Sequence, residues 1–115
     1  MSPTKSQTRT LLSLLHVACE SIGVQRHQIE FEAPGKFTLA DFGLEVQFDD
    51  NGSTPLWIIR ETYKTISLST SEGRNVEKIV ASIPVADYTT VAQQIATRVA
   101  QQLIELALDG ELTGA

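Results

Sequence analysis

The sequence has one cysteine, one tryptophan, one methionine and four prolines in 115 residues. A single cysteine excludes an intrachain disulfide framework and suits a reducing compartment, so a cytoplasmic location is expected. No stretch approaches the roughly 18 consecutive apolar residues of a membrane span. The longest apolar segments, Leu11–Val17 and Leu103–Leu108, are interrupted by Ser13, His16 and Glu105. Lys5 and Arg9 precede no uninterrupted apolar core, so neither a secretory leader nor a membrane partner is expected. Bases are also scarce: nine against 14 acids, for a net charge of −5. A phosphate-tracking surface needs clustered Lys and Arg, and no such stripe exists, which argues against general nucleic-acid binding.

Motifs of catalysis are missing as well. Gly35, Gly43, Gly52 and Gly73 stand alone, outside any GxGxxG or GxxxxGK[ST] pattern. No serine sits in a G-x-S-x-G elbow. His16, Cys19 and Glu20, with His27 beyond, have the spacing of a weak zinc site. Cys19 falls within an apolar helical stripe, however, where a free cysteine acts as a small hydrophobe. The same position argues against a nucleophile paired with His16 or His27, which would need solvent access and a nearby cation. Asp41, Asp49 and Asp50 lie beside glycines in turns, without the alternating ligands and closing glutamate of a calcium loop. No metal and no cofactor is expected, and an enzyme is the less favoured reading.

What is present is an ordinary globular balance, 42% apolar and 20% charged, in a length that fits one domain over residues 1–115 with frayed ends. Ser2-Pro3 reads as a cap with proline at the first helical position. Leu11, Leu15, Ala18 and Ile22 then recur at helical spacing, giving a helix from about Lys5 to Ile22 that ends at Gly23. Residues 28–83 switch to alternation, with turn signals at Ala33–Lys36, Asp41–Gly43, Asp50–Ser53 and Ser71–Asn75. Leu56-Trp57-Ile58-Ile59 is apolar on both parities, and the apolar parity then slips from Trp57 and Ile59 to Ile66 and Leu68. That slip predicts a turn or bulge within Arg60–Lys64.

Asp87, or Thr89 or Thr90, caps a final helix. Its apolar stripe runs from Val91 through Ile95 and Val99 to Leu103, Leu106 and Ala107, with Ile104 and Leu108 outside it and Gly110 as the stop. The expected fold is α+β: an N-terminal helix, an antiparallel meander of about five strands and a long C-terminal helix. Both helices lie on one sheet face, as a two-layer sandwich.

Such a sandwich leaves one sheet face uncovered. Leu56, Ile58, Ile66 and Leu68 are the candidates to project there, and Ile104 and Leu108 extend the surface onto the last helix. The expected function is that of a small acidic non-enzymatic protein-binding module, an inhibitor, adaptor or chaperone-like protein. It would bind another protein or itself as a homodimer. The alternative is a small-ligand-binding or enzymatic domain with a pocket between the C-terminal helix and the sheet, reached by Arg60, Lys64 or His27.

Overall fold

Thr4, rather than Ser2, opens the first helix. Its hydroxyl accepts from the Gln7 backbone N–H at 3.1 Å, and the Gln7 side chain accepts from the Thr4 N–H at 2.8 Å. This reciprocal box satisfies a donor of the first turn, which has no helical partner, and starts α1 at Lys5–Glu20. Pro3 lies outside the helix. The computed structural model describes residues 2–50, 54–66 and 73–113, with side chains given for all of these except 63–66, 73–74 and 111–113. Leu11, Leu15 and Cys19 form the buried face of α1. Gly23 ends it at φ +91°, with the Val24 N–H bonded to the Cys19 carbonyl at 2.9 Å and the Gly23 N–H to the Glu20 carbonyl at 3.1 Å. These are the two bonds of a Schellman cap, which needs a residue free to take positive φ.

Five strands follow: β1 (Glu30–Glu32), β2 (Lys36–Leu39), β3 (Leu44–Asp49), β4 (Leu56–Ile66) and β5 (Gly73–Pro84). Each pairs antiparallel with the next, in the order β1-β2-β3-β4-β5, so the sheet is the expected meander. α2 (Tyr88–Thr113) then returns across the sheet and packs on α1. The class is α+β. One core row runs across four strands through Phe37, Val46, Ile59 and Ala81. A second joins Phe48, Trp57 and Ile83, and the Trp57 indole N–H donates to the Val85 carbonyl at 3.1 Å. Val91, Ile95 and Val99 of α2 complete the same core as Leu11 and Leu15 of α1.

Three local expectations are corrected. The irregularity expected within Arg60–Lys64 sits between Ile59 and Arg60, where Ile59 pairs with Ala81 but Arg60 with Ile79. Val80 is the extra residue, so the bulge belongs to β5 and β4 continues unbroken. Gly73–Asn75, expected in a loop, already belong to β5. Gly110 does not stop α2, which continues to Thr113, because this glycine takes no left-handed turn. The expected Asn51-Gly52 turn lies outside the described residues; the strands it would join meet with Asp49 opposite Leu56. Asp87 stands directly before α2 as expected, and its carboxylate accepts from the Thr90 hydroxyl at 2.8 Å.

Candidate interaction surface

The length of α2 creates the site. Its 26 residues span about 39 Å at 1.5 Å per residue. The six residues of β3 span only about 20 Å. The helix therefore runs past the short strands. Its buried run closes at Gln102, whose side-chain amide donates to the Phe42 carbonyl at 2.8 Å, just before β3 begins. Every residue from Leu103 to Gly110 is exposed. Four of them are large and apolar: Leu103 at 37%, Ile104 at 59%, Leu106 at 65% and Leu108 at 51% exposure. At 100° per residue, Leu106 continues the stripe of Ile95 and Val99, whereas Ile104 and Leu108 point away from it. The helix end is thus apolar on most of its circumference, a pattern that belongs to a covered helix.

The open sheet face is different in kind. Lys36 reaches Glu45 at 2.9 Å, Glu45 reaches Arg60 at 3.4 Å, and the Arg60 guanidinium also donates to Gln47 at 2.9 Å. One charged row thus crosses β2, β3 and β4. Glu45, bonded to Lys36 and lying close by, raises the Lys36 ammonium above the usual lysine range. Ile58 lies between these polar neighbours and is only 6% exposed, outside the main core cluster. It offers almost no surface to a partner. Leu56 is half-buried. The Ile66 side chain and all of Leu68 lie outside the described residues. Of the six residues singled out from the sequence, Ile104 and Leu108 are therefore placed together in the open, on α2.

A third feature is an open notch of about 420 Å³ beside α2, lined by Glu61, Lys78, Ile79, Val80 and Arg98. Arg98 donates to Glu61 at 3.4 Å, and its buried Nε has no acceptor among the described residues. Because β4 keeps its alternation, Glu61 shares the helix-facing side with Trp57 and Ile59, which explains how it meets Arg98. Arg60, offered above as a pocket residue, is instead on the open face, and His27 is exposed in a short 3-10 turn (Arg26–Gln28). The Lys64 side chain lies outside the described residues.

No family model, curated protein or solved structure matches the chain. The arrangement of residues alone carries the functional argument. Cys19 is fully buried, and burial pushes its thiol pKa up. Asp41 accepts from the Gln28 side chain at 3.1 Å. Among the described residues, no three His, Cys, Asp or Glu side chains are grouped as metal ligands would be. Among the same residues, no helix is long and apolar enough to cross a membrane.

Leu103, Leu106, Arg98 and Gln102 are the surface residues that the sequence reading did not single out. Leu103 and Leu106 carried a signal that went unused. Their exposure shows that the apolar stripe of α2 continues past the residues that the core covers.

Proposed function

We propose that this chain is a non-enzymatic protein-binding module, of the inhibitor, adaptor or chaperone-like kind, acting within the cytoplasm. Its contact element is the exposed end of α2, called the arm below, and not the open sheet face. The observation that carries this reading is the exposure of Leu103, Ile104, Leu106 and Leu108 on one helical segment. Contiguous apolar surface of this kind favours a protein partner, whereas single exposed apolar residues mean little. The Lys36–Glu45–Arg60 row argues against docking on the sheet, since its charges already meet partners within the chain.

A photoreactive amino acid placed at Leu106 tests this in the producing cells. The expected result is a covalent adduct with a protein, and none from the same group at Gln47 on the open face. Absence of any adduct from both Leu106 and Ile104 overturns the reading.

The Nε of Arg98, which has no acceptor among the described residues, favours a second reading, in which the notch takes a small carboxylate or phosphate. Titration calorimetry with inorganic phosphate and with acetate separates the two. Saturable binding that is lost in Arg98→Gln supports the ligand site.

A further inference from the structure

We infer that the chain carries a second protein contact, a cleft between the start of α1 and β1 that takes an extended acidic segment of another protein, with one aromatic side chain between two carboxylates. The cleft adjoins Pro34, just before β2, whereas the arm leaves the domain beside Phe42, just after β2. The two contacts are separate, and neither needs the other.

The apolar wall comes from the end of the core. The row of Phe37, Val46, Ile59 and Ala81 extends one strand further, to Phe31, which pairs with Phe37. β1 is an edge strand, and the core stops there in the open. The Phe31 ring lies 5.1 Å from the buried Phe37 ring, yet Phe31 is 43% exposed. Pro3 and Pro34 line the same open cleft, which holds about 370 Å³, and Pro3 is seated against Gly35. Two prolines and an edge aromatic anchored on the core have little freedom to lose when a partner settles on them.

The other wall is cationic. α1 contributes Lys5 and Arg9 to the cleft, and no acid precedes Glu20 in the sequence. Arg26, Lys36, Arg60 and Arg98 each meet a carboxylate of the chain. Among the described residues, Lys5 and Arg9 meet none. The acids of β1 do not supply one. Strand alternation turns Glu30 and Glu32 to the face opposite Phe31, where Glu32 lies 4.0 Å from Lys36.

These walls select the occupant. A chain of net charge −5 repels acidic partners over most of its surface and admits one where its cations are unpaired. Lys5 and Arg9 are about 6 Å apart along the helix at 1.5 Å per residue. Alternate residues of an extended segment are roughly 6.6 Å apart and point the same way. An acid-aromatic-acid run therefore sets both carboxylates toward Lys5 and Arg9 and the ring toward Phe31 and Pro34. Sites for free small molecules enclose about 70–90% of the ligand. This cleft is open, which suits one side chain of a longer segment instead.

Titration calorimetry of the full chain tests this with a blocked pentapeptide, glutamate-tryptophan-glutamate between two glycines. Saturable binding is expected, with Kd on the order of 100 μM for so small a contact. Lys5→Gln with Arg9→Gln should weaken it about tenfold or more, and about 0.5 M salt should weaken it several-fold by screening. Both residues are exposed, so the double variant should keep its fold, as circular dichroism can confirm. The same loss is expected on the wild type when glutamines replace the peptide's glutamates, a comparison that needs no variant. Amide chemical shifts should move at residues 5–9 and 31–35. Equal binding by the glutamine peptide, or by the double variant, overturns the charge contact. Indole-3-acetate binding as tightly as the peptide overturns the assignment to a protein segment. No binding at about 2 mM peptide overturns the cleft as a site. Shifts confined to residues 103–108 also overturn it, and they leave the arm reading standing.

Discussion

The Gln102 side chain donates to the Phe42 carbonyl at 2.8 Å, and the buried part of α2 ends at that bond. Phe42 closes the 3-10 turn at Ala40–Phe42, whose last carbonyls have no partner within the turn. Gln102 thus fixes the turn between β2 and β3 to the helix at the point where the arm leaves the domain. Gln102→Ala removes the donor and leaves that part-buried carbonyl dependent on water. The expected loss is about 1 kcal/mol of stability, read as a lower urea midpoint. The arm should be no less helical, since alanine propagates helix well. An unchanged midpoint would show that the bond contributes nothing.

Exposure and burial are the reverse of the sequence expectation at two residues, Ile58, expected on the open face, and Leu106, expected in the buried stripe. Ile58 is 6% exposed and Leu106 is 65% exposed. Ile58→Asp buries a carboxylate among Gln47, Arg60 and Ser82 and should cost roughly 3 kcal/mol or more. Leu106→Asp meets solvent in the single chain and should change monomer stability by less than about 0.5 kcal/mol. Guanidinium unfolding at concentrations low enough to keep the chain monomeric reads both. A large loss at Leu106 would mean that the arm packs within its own domain.

Alternation and helical spacing made the architecture readable. Ile29–Phe31, Phe37–Leu39 and Leu44–Phe48 alternate cleanly, and Leu11–Leu15–Cys19 recur at four, so the strands and α1 were legible. The polar state of the open face was not. It depends on Lys36, Glu45 and Arg60 meeting across three strands, and register between strands is not a property of any one segment. The apparent slip between Ile59 and Ile66 was read as a change of face in β4, whereas the extra residue is Val80 on the neighbouring strand. Periodicity also said which residues of α2 share a face, but not how far the sheet beneath them extends. That is why Leu103 and Leu106 read as core.

Gly35 is a position where a side chain has no room. A Cβ built there would lie 2.7 Å from Pro3 Cγ, 2.9 Å from Pro3 Cδ and 3.0 Å from Phe48 Cβ. Its carbonyl also accepts from the Phe48 N–H at 2.8 Å, so the backbone cannot retreat without loss of that bond. Gly35→Ala should push Pro3 away and cost about 1–3 kcal/mol, as overpacking does. The paired variant Pro3→Gly with Gly35→Ala should regain much of that loss, because the proline ring is the nearest obstacle. Thermal unfolding of the single and double variants measures the difference. Equal stability of Gly35→Ala and the wild type would show that the N-terminal segment moves aside at no cost.

Cys19 gives the chain a defined alkaline response. Its side chain is fully buried on α1, and burial raises the thiol pKa by penalising the thiolate. In the unfolded chain the thiol ionises with a pKa near 8.5. Above that pH the unfolded state has lost a proton that the folded state retains, so stability falls as pH rises. This contribution is fully present below about pH 8.5 and is lost as the pH climbs toward the raised folded value. Cys19→Ala lacks the titrating group. It should therefore show a smaller decline in unfolding free energy between about pH 8.5 and 10, although it starts lower because a buried sulfur has been removed. Reactivity follows from the same cause. A thiol reagent at neutral pH should modify the native chain slowly, at a rate that rises with denaturant as the core opens. Rapid stoichiometric modification under native conditions would place the sulfur at the surface and remove it from the stripe formed with Leu11 and Leu15.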